Sequence, residues 1–193
     1  MAELRLAGGR RLHSPIGQFT RPTTARVREA VMNILGPQLR GSHWLDLCSG
    51  SGAVACEALQ HGVQNVVAVE KNRRVAAVCR MNLEAVCRDL SREVHLEVVR
   101  QDAIYWLMNG NKSRLIFDFV YLDPPYRGDL YRSILNVLLA AKCIYASSLV
   151  ICEHATDLPL VAPLGWHECD RRHYGSSALL FLSQPPSVLP RRY

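Results

Sequence analysis

Short apolar segments alternate with segments of helical periodicity from residue 43 onward, and this alternation limits the folds open to the chain. The apolar segments cover residues 44–48, 66–70, 94–99, 117–122, 149–152 and 178–182. Segments with apolar residues at helical spacing lie near residues 53–61, 72–87, 102–109 and 129–141. Strands that alternate with helices form βαβ units, and these units build a mostly parallel sheet with helices on both faces. The sequence therefore predicts an α/β fold.

The beginning of the chain departs from this alternation. Residues 1–20 contain the turn signal Gly8-Gly9, which predicts an irregular or hairpin-like arm. A helix is expected next, because Thr23 or Thr24 can cap its first turn and Gly36-Pro37 would end it.

The end of the chain also departs from the alternation. Residues 167–174 and 177–182 flank Gly175-Ser176, which predicts an antiparallel hairpin. The sequence contains no internal repeat or linker, so we expect a single domain. Its expected parts are a basic N-terminal arm at 1–22, the α/β domain proper at 23–184 and a Pro-rich tail at 185–193.

Positive charge is concentrated near the N-terminus. The chain carries a net charge of +6, and residues 1–40 contain seven arginines against two glutamates. Arginine favours bidentate contacts with phosphate and stacks on bases. The charge modestly favours a nucleic-acid partner over an ordinary solvated basic surface.

Cysteine usage and hydropathy indicate the compartment. Seven cysteines is an odd number, and no Cys-x-x-Cys motif occurs, so reduced thiols in a cytoplasmic protein are expected. The seven histidines show no metal-ligand spacing, and no apolar run approaches the length of a membrane span. We therefore expect a monomer without metal or membrane contacts.

A glycine-rich loop follows the first predicted strand. Residues 45–52 read Leu-Asp-Leu-Cys-Ser-Gly-Ser-Gly, and Gly50 and Gly52 allow a tight turn beside a ligand at a helix N-terminus. Glu70 ends the second strand, where an acid can accept hydrogen bonds from ribose hydroxyls. The glycine spacing alone does not distinguish a dinucleotide such as NAD from S-adenosylmethionine.

Two further acids favour S-adenosylmethionine. Asp46 ends the first strand, where class I methyltransferases carry an acid near the methionine ammonium group, although a carboxylate that caps the glycine loop is an alternative. Asp102 and Ala103 follow the third strand, where such enzymes bind adenine. Asp102 can equally cap a helix, and both roles are compatible.

The tetrapeptide Asp123-Pro124-Pro125-Tyr126 follows the fourth predicted strand. Two prolines end the strand because neither offers an N–H. A rigid turn that holds an acceptor and an aromatic face suits a planar base with an amino group. Asp123 and the Pro124 carbonyl would accept the amino hydrogens, Pro125 would keep the turn rigid, and Tyr126 would stack on the base.

Several segments together resemble the RsmD family. They are Gly9-Arg10-Arg11-Leu12, the segment Arg-Pro-Thr-Thr-Ala-Arg-Val-Arg-Glu-Ala at 21–30, the glycine loop, Asp-Pro-Pro-Tyr and the segment at 174–180. The chain departs from the family pattern at Met32 and at Cys48-Ser49.

The resemblance implies a class I methyltransferase, with a Rossmann-like, mostly parallel seven-stranded sheet and a C-terminal antiparallel hairpin. It implies S-adenosylmethionine-dependent methylation of guanine N2 in bacterial 16S ribosomal RNA, within the small ribosomal subunit. The expected cofactor contacts are Asp46, Cys48, Ser49, Gly50, Gly52, Glu70, Asp102 and Ala103.

The RNA contacts are expected in the arginine-rich segment, at Arg21, Thr23, Arg26 and Arg28. Residues 26 and 28 do not share a helical face, so one of these arginines could pair internally, with Glu29 or Glu57.

Three other functions stay open from the sequence. An adenine-N6 methyltransferase would use the same tetrapeptide on RNA or DNA, but the chain shows no target-recognition domain. An NAD-dependent oxidoreductase would share the glycine loop and is disfavoured by Asp46 and by the tetrapeptide at 123–126. A non-catalytic RNA-binding module is disfavoured because every expected site residue is present.

Overall fold

The fold is built on one sheet of seven strands. The computed structural model describes residues 4–15, 23–109, 115–125 and 128–185. The strands are β1 (His43–Leu47), β2 (Asn65–Val69), β3 (His95–Val99), β4 (Phe117–Leu122), β5 (Ile144–Ala155), β6 (His167–Tyr174) and β7 (Ser177–Ser183). Their order is β3-β2-β1-β4-β5-β7-β6. Strands β1 to β5 are parallel to one another, and β7 is antiparallel to β5 and β6.

Helices connect the parallel strands as the periodicity predicts. They are α1 (Ala25–Leu35), α2 (Ala53–Gln60), α3 (Arg73–Arg88), α4 (Ala103–Asn109) and α5 (Gly128–Ala140), with a 3₁₀ turn at Gly36–Leu39 after α1. The Thr24 side chain caps α1 by accepting from the Val27 N–H at 3.3 Å. None of the helices in the described ranges has the length and apolar character needed to cross a membrane.

Side chains on the two faces of the sheet pack into separate apolar clusters. Trp44 and Tyr121 belong to the cluster covered by α1, α2 and α3, whereas Leu45 and Leu47 belong to the cluster covered by α4 and α5. Successive strand residues point to opposite faces. Asp46 therefore points to the same face as Trp44, toward the side of α1 to α3.

The described part of the N-terminal arm is a hairpin docked on the domain. The Leu12 N–H donates to the Leu4 carbonyl at 2.8 Å, and both side chains are buried. The Ala7 N–H donates to Glu57 on α2 at 3.0 Å. The predicted turn at Gly8-Gly9 is therefore confirmed, and residues 16–22 and the predicted tail from 186 lie outside the described residues.

One predicted element is much longer than expected. The fifth strand covers Ile144–Ala155 rather than 149–152. Its register against β4 shifts between Phe117 and Phe119, so the strand contains an irregularity. The Ser148 hydroxyl donates to the Phe117 carbonyl at 2.7 Å and stabilises this irregularity. Ser147 and Ser148 interrupt the apolar residues, so the apolar pattern predicts only a part of this strand.

Candidate active site

A cleft of about 400 Å³ lies at the carboxyl ends of β1, β2 and β4. Ligand sites of α/β sheets are expected at this edge, and the volume falls in the range of small-molecule pockets. The predicted site residues that line it are Thr23, Asp46, Cys48, Ser49, Gly50, Glu70, Asp102, Ala103, Asp123, Pro124 and Pro125. The chain thus brings the predicted cofactor and substrate residues to one cleft.

The glycine loop is held by Glu70. One Glu70 carboxylate oxygen accepts the Gly50 N–H at 3.1 Å, and the other accepts the Asn72 N–H at 2.8 Å. Each oxygen has a second lone pair, so the carboxylate can still accept bonds from a ligand. Glu70 therefore orients the loop and faces the cleft at the same time.

Gly52 shapes the loop without lining the cleft. It is the N-cap of α2, with φ +75°. A Cβ at this position would lie 2.8 Å from the Cys79 Sγ. The left-handed backbone and the close approach of Cys79 both require glycine here.

A left-handed backbone alone costs a residue with a Cβ roughly 1–2 kcal/mol. We expect Gly52→Ala to destabilise the protein by more than this amount. Gly41→Ala is the matched control, because Gly41 has φ +76° and open space around its Cα. Urea unfolding of both variants checks this, and an equal loss of stability would show that contact with Cys79 has no effect.

Asp46 is a buried acid with an unused oxygen. Its side chain is 2% exposed, and its Oδ2 atom has no hydrogen-bond partner among the described residues. Burial, together with the nearby Glu70 carboxylate, raises the pKa of Asp46 to about 8. A buried acceptor that faces the cleft suits a cationic group such as an ammonium.

The raised pKa of Asp46 predicts a pH-dependent stability. The folded protein retains the Asp46 proton where the unfolded chain, with a pKa of 3.8, has lost it. The folded state then binds more protons, so stability should fall as the pH rises from about 4 to about 8. We expect Asp46→Asn to weaken this fall, measured as the free energy of urea unfolding at pH 5 and pH 8. Asp157→Asn, at an exposed turn, is the control; equal pH dependence in both variants would contradict the prediction.

Cys48 lies in the loop among three acids. Its backbone adopts φ +64°, which is unusual for a residue with a Cβ. Burial raises the pKa of its thiol to about 12, and the Glu70, Asp123 and Asp46 carboxylates contribute in that order. The thiol therefore stays protonated at neutral pH and is not a thiolate nucleophile.

Asp102 caps a helix as well as lining the cleft. Its Oδ1 accepts the Ile104 N–H at 2.9 Å and the Tyr105 N–H at 3.2 Å. The side chain is exposed, and the buried Ala103 follows it on the cleft wall. Asp102 thus has the capping role that the sequence left open, and its other oxygen is available to a ligand.

The Asp-Pro-Pro turn follows β4 directly, at the mouth of the cleft. Asp123 is half-buried, Pro124 is buried and Pro125 is exposed. Tyr126, the predicted stacking residue, lies outside the described residues. The described turn presents a carboxylate beside the pocket that also contains Asp46 and Glu70.

A buried polar network that sequence reasoning missed lies behind the turn. The Tyr121 hydroxyl donates to the Glu153 Oε2 at 2.6 Å, and the Tyr131 hydroxyl donates to the Glu153 carbonyl. Burial raises the pKa of Tyr121 well above its ordinary value. The position of Tyr121, two residues before Asp123 and so on the same strand face, was the available signal.

Thr23 belongs to this buried network and does not lie on an exposed surface. Its side chain is 9% exposed, hydrogen-bonds with Tyr121 and lines the cleft. The segment predicted to contact RNA therefore contributes at least one residue to the pocket wall.

Arg28 requires a correction. It was predicted to contact RNA, but its side chain is 2% exposed. Its Nη1 donates to the Thr23 carbonyl at 2.7 Å, its Nε lies 3.4 Å from Glu57 Oε1, and its Nη2 donates to the Arg5 carbonyl. This arginine therefore pairs internally with Glu57, one of the two partners considered, because it lies under the docked N-terminal hairpin.

Arg26 and Arg21 differ from Arg28. Arg26 is exposed on α1, with its guanidinium carbon 6.0 Å from the centre of the Tyr174 ring. Arg21 lies outside the described residues. Across the described ranges, no group of three or more His, Cys, Asp or Glu side chains could hold a metal ion.

The sheet order, the terminal antiparallel hairpin and the cleft at the carboxyl ends of the strands define a class I methyltransferase fold. The chain belongs to the family described as "Conserved hypothetical protein 95", whose model matches residues 6–183.

Curated relatives confirm the resemblance to the RsmD family. "Ribosomal RNA small subunit methyltransferase D" of Haemophilus influenzae is 31% identical over 158 residues, covering 82% of this chain and 80% of the relative. The Escherichia coli K12 protein of the same name is 31% identical over 170 residues, with 85% and 81% covered.

Solved structures agree with this assignment. The Escherichia coli methyltransferase yhhF superposes with a TM-score of 0.77 at 26% identity, covering 95% of this chain and 98% of that one. A protein from Thermus thermophilus gives a TM-score of 0.73 at 28% identity, with 92% and 98% covered.

Proposed function

We propose that the protein transfers a methyl group from S-adenosylmethionine to the exocyclic N2 of a guanine in 16S ribosomal RNA. One observation carries the proposal: the Asp123-Pro124-Pro125 turn borders the same cleft as the unpartnered Asp46 oxygen and the glycine loop. An acceptor for a base amino group thus lies beside a pocket suited to a cationic, nucleoside-like cofactor. The names of the curated relatives support ribosomal RNA as the substrate.

The cleft residues fit S-adenosylmethionine, which supplies an electrophilic methyl group when bound. The unused Asp46 oxygen would accept from its ammonium group, and Glu70 would accept from its ribose hydroxyls. Asp102 and Ala103 would bind the adenine, and the loop from Cys48 to Gly50 would enclose the remainder. Ionised Asp46 would be favoured by a cationic ligand, so binding would offset part of the effect of burial on its pKa.

Asp123 and the Pro124 carbonyl would orient the target amino group. Guanine N2 is a weak nucleophile because its lone pair is conjugated with the ring. Two acceptors that hold its two hydrogens would direct the lone pair toward the methyl donor, which is catalysis by positioning and electrostatic complementarity. Tyr126 stays the predicted stacking partner of a base that is flipped out or already unpaired.

The RNA partner would be bound through basic residues at the exposed surface. Arg26 is the described member of the predicted contacts that is exposed, and Arg21 stays a prediction. The assembled small subunit, in the cytoplasm, is the substrate that the family resemblance favours.

An incorporation assay tests the proposal. The protein is incubated with labelled S-adenosylmethionine and, in separate reactions, with undermodified small ribosomal subunits, protein-free 16S rRNA and double-stranded DNA. We expect label in ribosomal RNA and none in DNA. Label in DNA alone would support the adenine-N6 alternative, and absence of label from every substrate would contradict the proposal.

A further inference from the structure

A second concave surface lies between helix α3 and the end of strand β3. It has a volume of about 220 Å³ and is lined by Arg73, Ala76, Ala77, Arg80, Val98 and Arg100. We call it the arginine cleft. Three of its six lining residues are arginines, and none is acidic.

Helical and strand periodicity bring the three arginines together. Arg73 and Arg80 are seven residues apart, so they lie on one face of α3, and the small Ala76 and Ala77 between them leave a concave floor. Arg100 follows the last residue of β3. The cleft is therefore a product of the fold and is not visible as a cluster in the sequence.

The three guanidinium groups are exposed and available for a ligand. Within the described residues, Arg73, Arg80 and Arg100 form no ion pair. Arg80 donates through Nη2 to the Val98 carbonyl at 2.6 Å, which fixes this guanidinium at the edge of the cleft. A fixed, unpaired arginine costs less to order when an anion binds.

The start of α3 adds positive potential to the cleft. A helix N-terminus carries a partial positive charge that acids stabilise and bases destabilise. Arg73 and Arg74 nevertheless occupy the first turn of α3, and that turn contains no acid. The Asn72 side chain already accepts the Arg74 and Val75 N–H groups, so an anion here would be held by the arginine side chains, and its charge would relieve the repulsion.

The arginine cleft adjoins the active-site cleft. Lys71, Asn72 and Gln101 line the active site, and each lies within two residues of Arg73 or Arg100 along the chain. We propose that the arginine cleft binds backbone phosphates of the RNA substrate on the β3 side of the active-site cleft, which β2 and β1 separate from Asp123 after β4. This inference rests on the proposed function and adds a phosphate site apart from the N-terminal segment. A strand held at this cleft would have its register fixed without any reading of its bases.

The test compares two variants that lose the same charge. R73Q/R80Q/R100Q removes the arginines of the cleft, and R40Q/R88Q/R132Q removes three exposed arginines elsewhere. Binding to undermodified small ribosomal subunits and to protein-free 16S rRNA is measured at several salt concentrations. Methylation kinetics and S-adenosylmethionine affinity are measured on the same preparations, and urea unfolding verifies that both variants are folded.

The cleft variant should lose salt dependence as well as affinity. Loss of three phosphate contacts should reduce the slope of log K against log salt concentration by about 2 units for single-stranded RNA. We expect a higher KM for RNA, with kcat at saturating RNA and cofactor affinity retained. A slope and KM equal to those of the control variant would overturn the proposal.

Two further outcomes separate the possible failures. If inorganic phosphate protects the wild-type protein from thermal unfolding through these arginines while RNA binding is equal in both variants, the cleft binds free anions and the inference is wrong. If the wild-type protein methylates RNA and both variants bind it equally, the inference fails alone. If the wild-type protein neither binds nor methylates RNA, the proposed function fails and the inference fails with it.

Discussion

Replacing Asp123 with alanine is expected to lower kcat by about 100- to 1,000-fold while the affinity for S-adenosylmethionine stays close to that of the wild-type protein. Asp123 directly follows the fourth strand at the mouth of the cleft, where it would accept a hydrogen of the target amino group. Its loss removes an acceptor that matters as charge develops on the amino nitrogen. The variant retains Asp46 and Glu70, which are the proposed cofactor contacts.

Single-turnover methylation of small ribosomal subunits measures this effect, and equilibrium dialysis measures cofactor binding. Asp157→Asn is the matched control, because it removes an exposed acid outside the cleft. Asp123→Asn should fall between alanine and wild type, since one amide oxygen can still accept. Near wild-type kcat in Asp123→Ala would show that the turn does not orient the base.

Replacing Arg28 with alanine is expected to lower the free energy of unfolding by about 3–5 kcal/mol. The change leaves the Glu57 carboxylate buried without its cation, and Glu57 Oε2 already lacks a partner among the described residues. It also frees the Thr23 and Arg5 carbonyls. The N-terminal hairpin, α1 and α2 would then lose the arginine side chain that contacts all three.

This prediction distinguishes a buried structural role of Arg28 from a role in RNA binding. Arg26→Ala, on the exposed side of the same helix, should change stability by about 0.5 kcal/mol or less. Arg28→Lys keeps the charge and fewer of the three contacts, so its stability should lie between that of wild type and of alanine. Urea unfolding gives these values; a loss of RNA affinity in Arg28→Ala with unchanged stability would restore the original interpretation.

The strands and helices were predictable because local patterns specify them. The fourth strand matches its prediction from Phe117 to Leu122, and the terminal hairpin turns at Gly175-Ser176 as expected. Apolar runs, helical periodicity and turn residues are short-range signals. The fifth strand was underestimated because Ser147 and Ser148 interrupt its apolar residues, and the Ser148 hydroxyl stabilises it through a tertiary contact that no local pattern reveals.

The site was predictable where function depends on strand ends. Asp46, Glu70 and Asp123 each follow or end a parallel strand, so the topology necessarily brings them to one edge. The sequence offered Glu57 as one possible partner of an arginine, but it did not show that Arg28 is the buried one, because this burial depends on the docked hairpin. The link from Tyr121 to Glu153 spans 32 residues and was missed because no local pattern reveals it.

Nucleoside analysis of the reaction product shows which base and which atom receive the methyl group. Undermodified small ribosomal subunits are methylated with labelled S-adenosylmethionine, the 16S rRNA is digested to nucleosides, and the labelled nucleoside is identified by mass spectrometry. We expect the label in N2-methylguanosine, and we expect Asp123→Ala to reduce it greatly. Label in N6-methyladenosine, or in a guanosine methylated at another position, would contradict the proposed function.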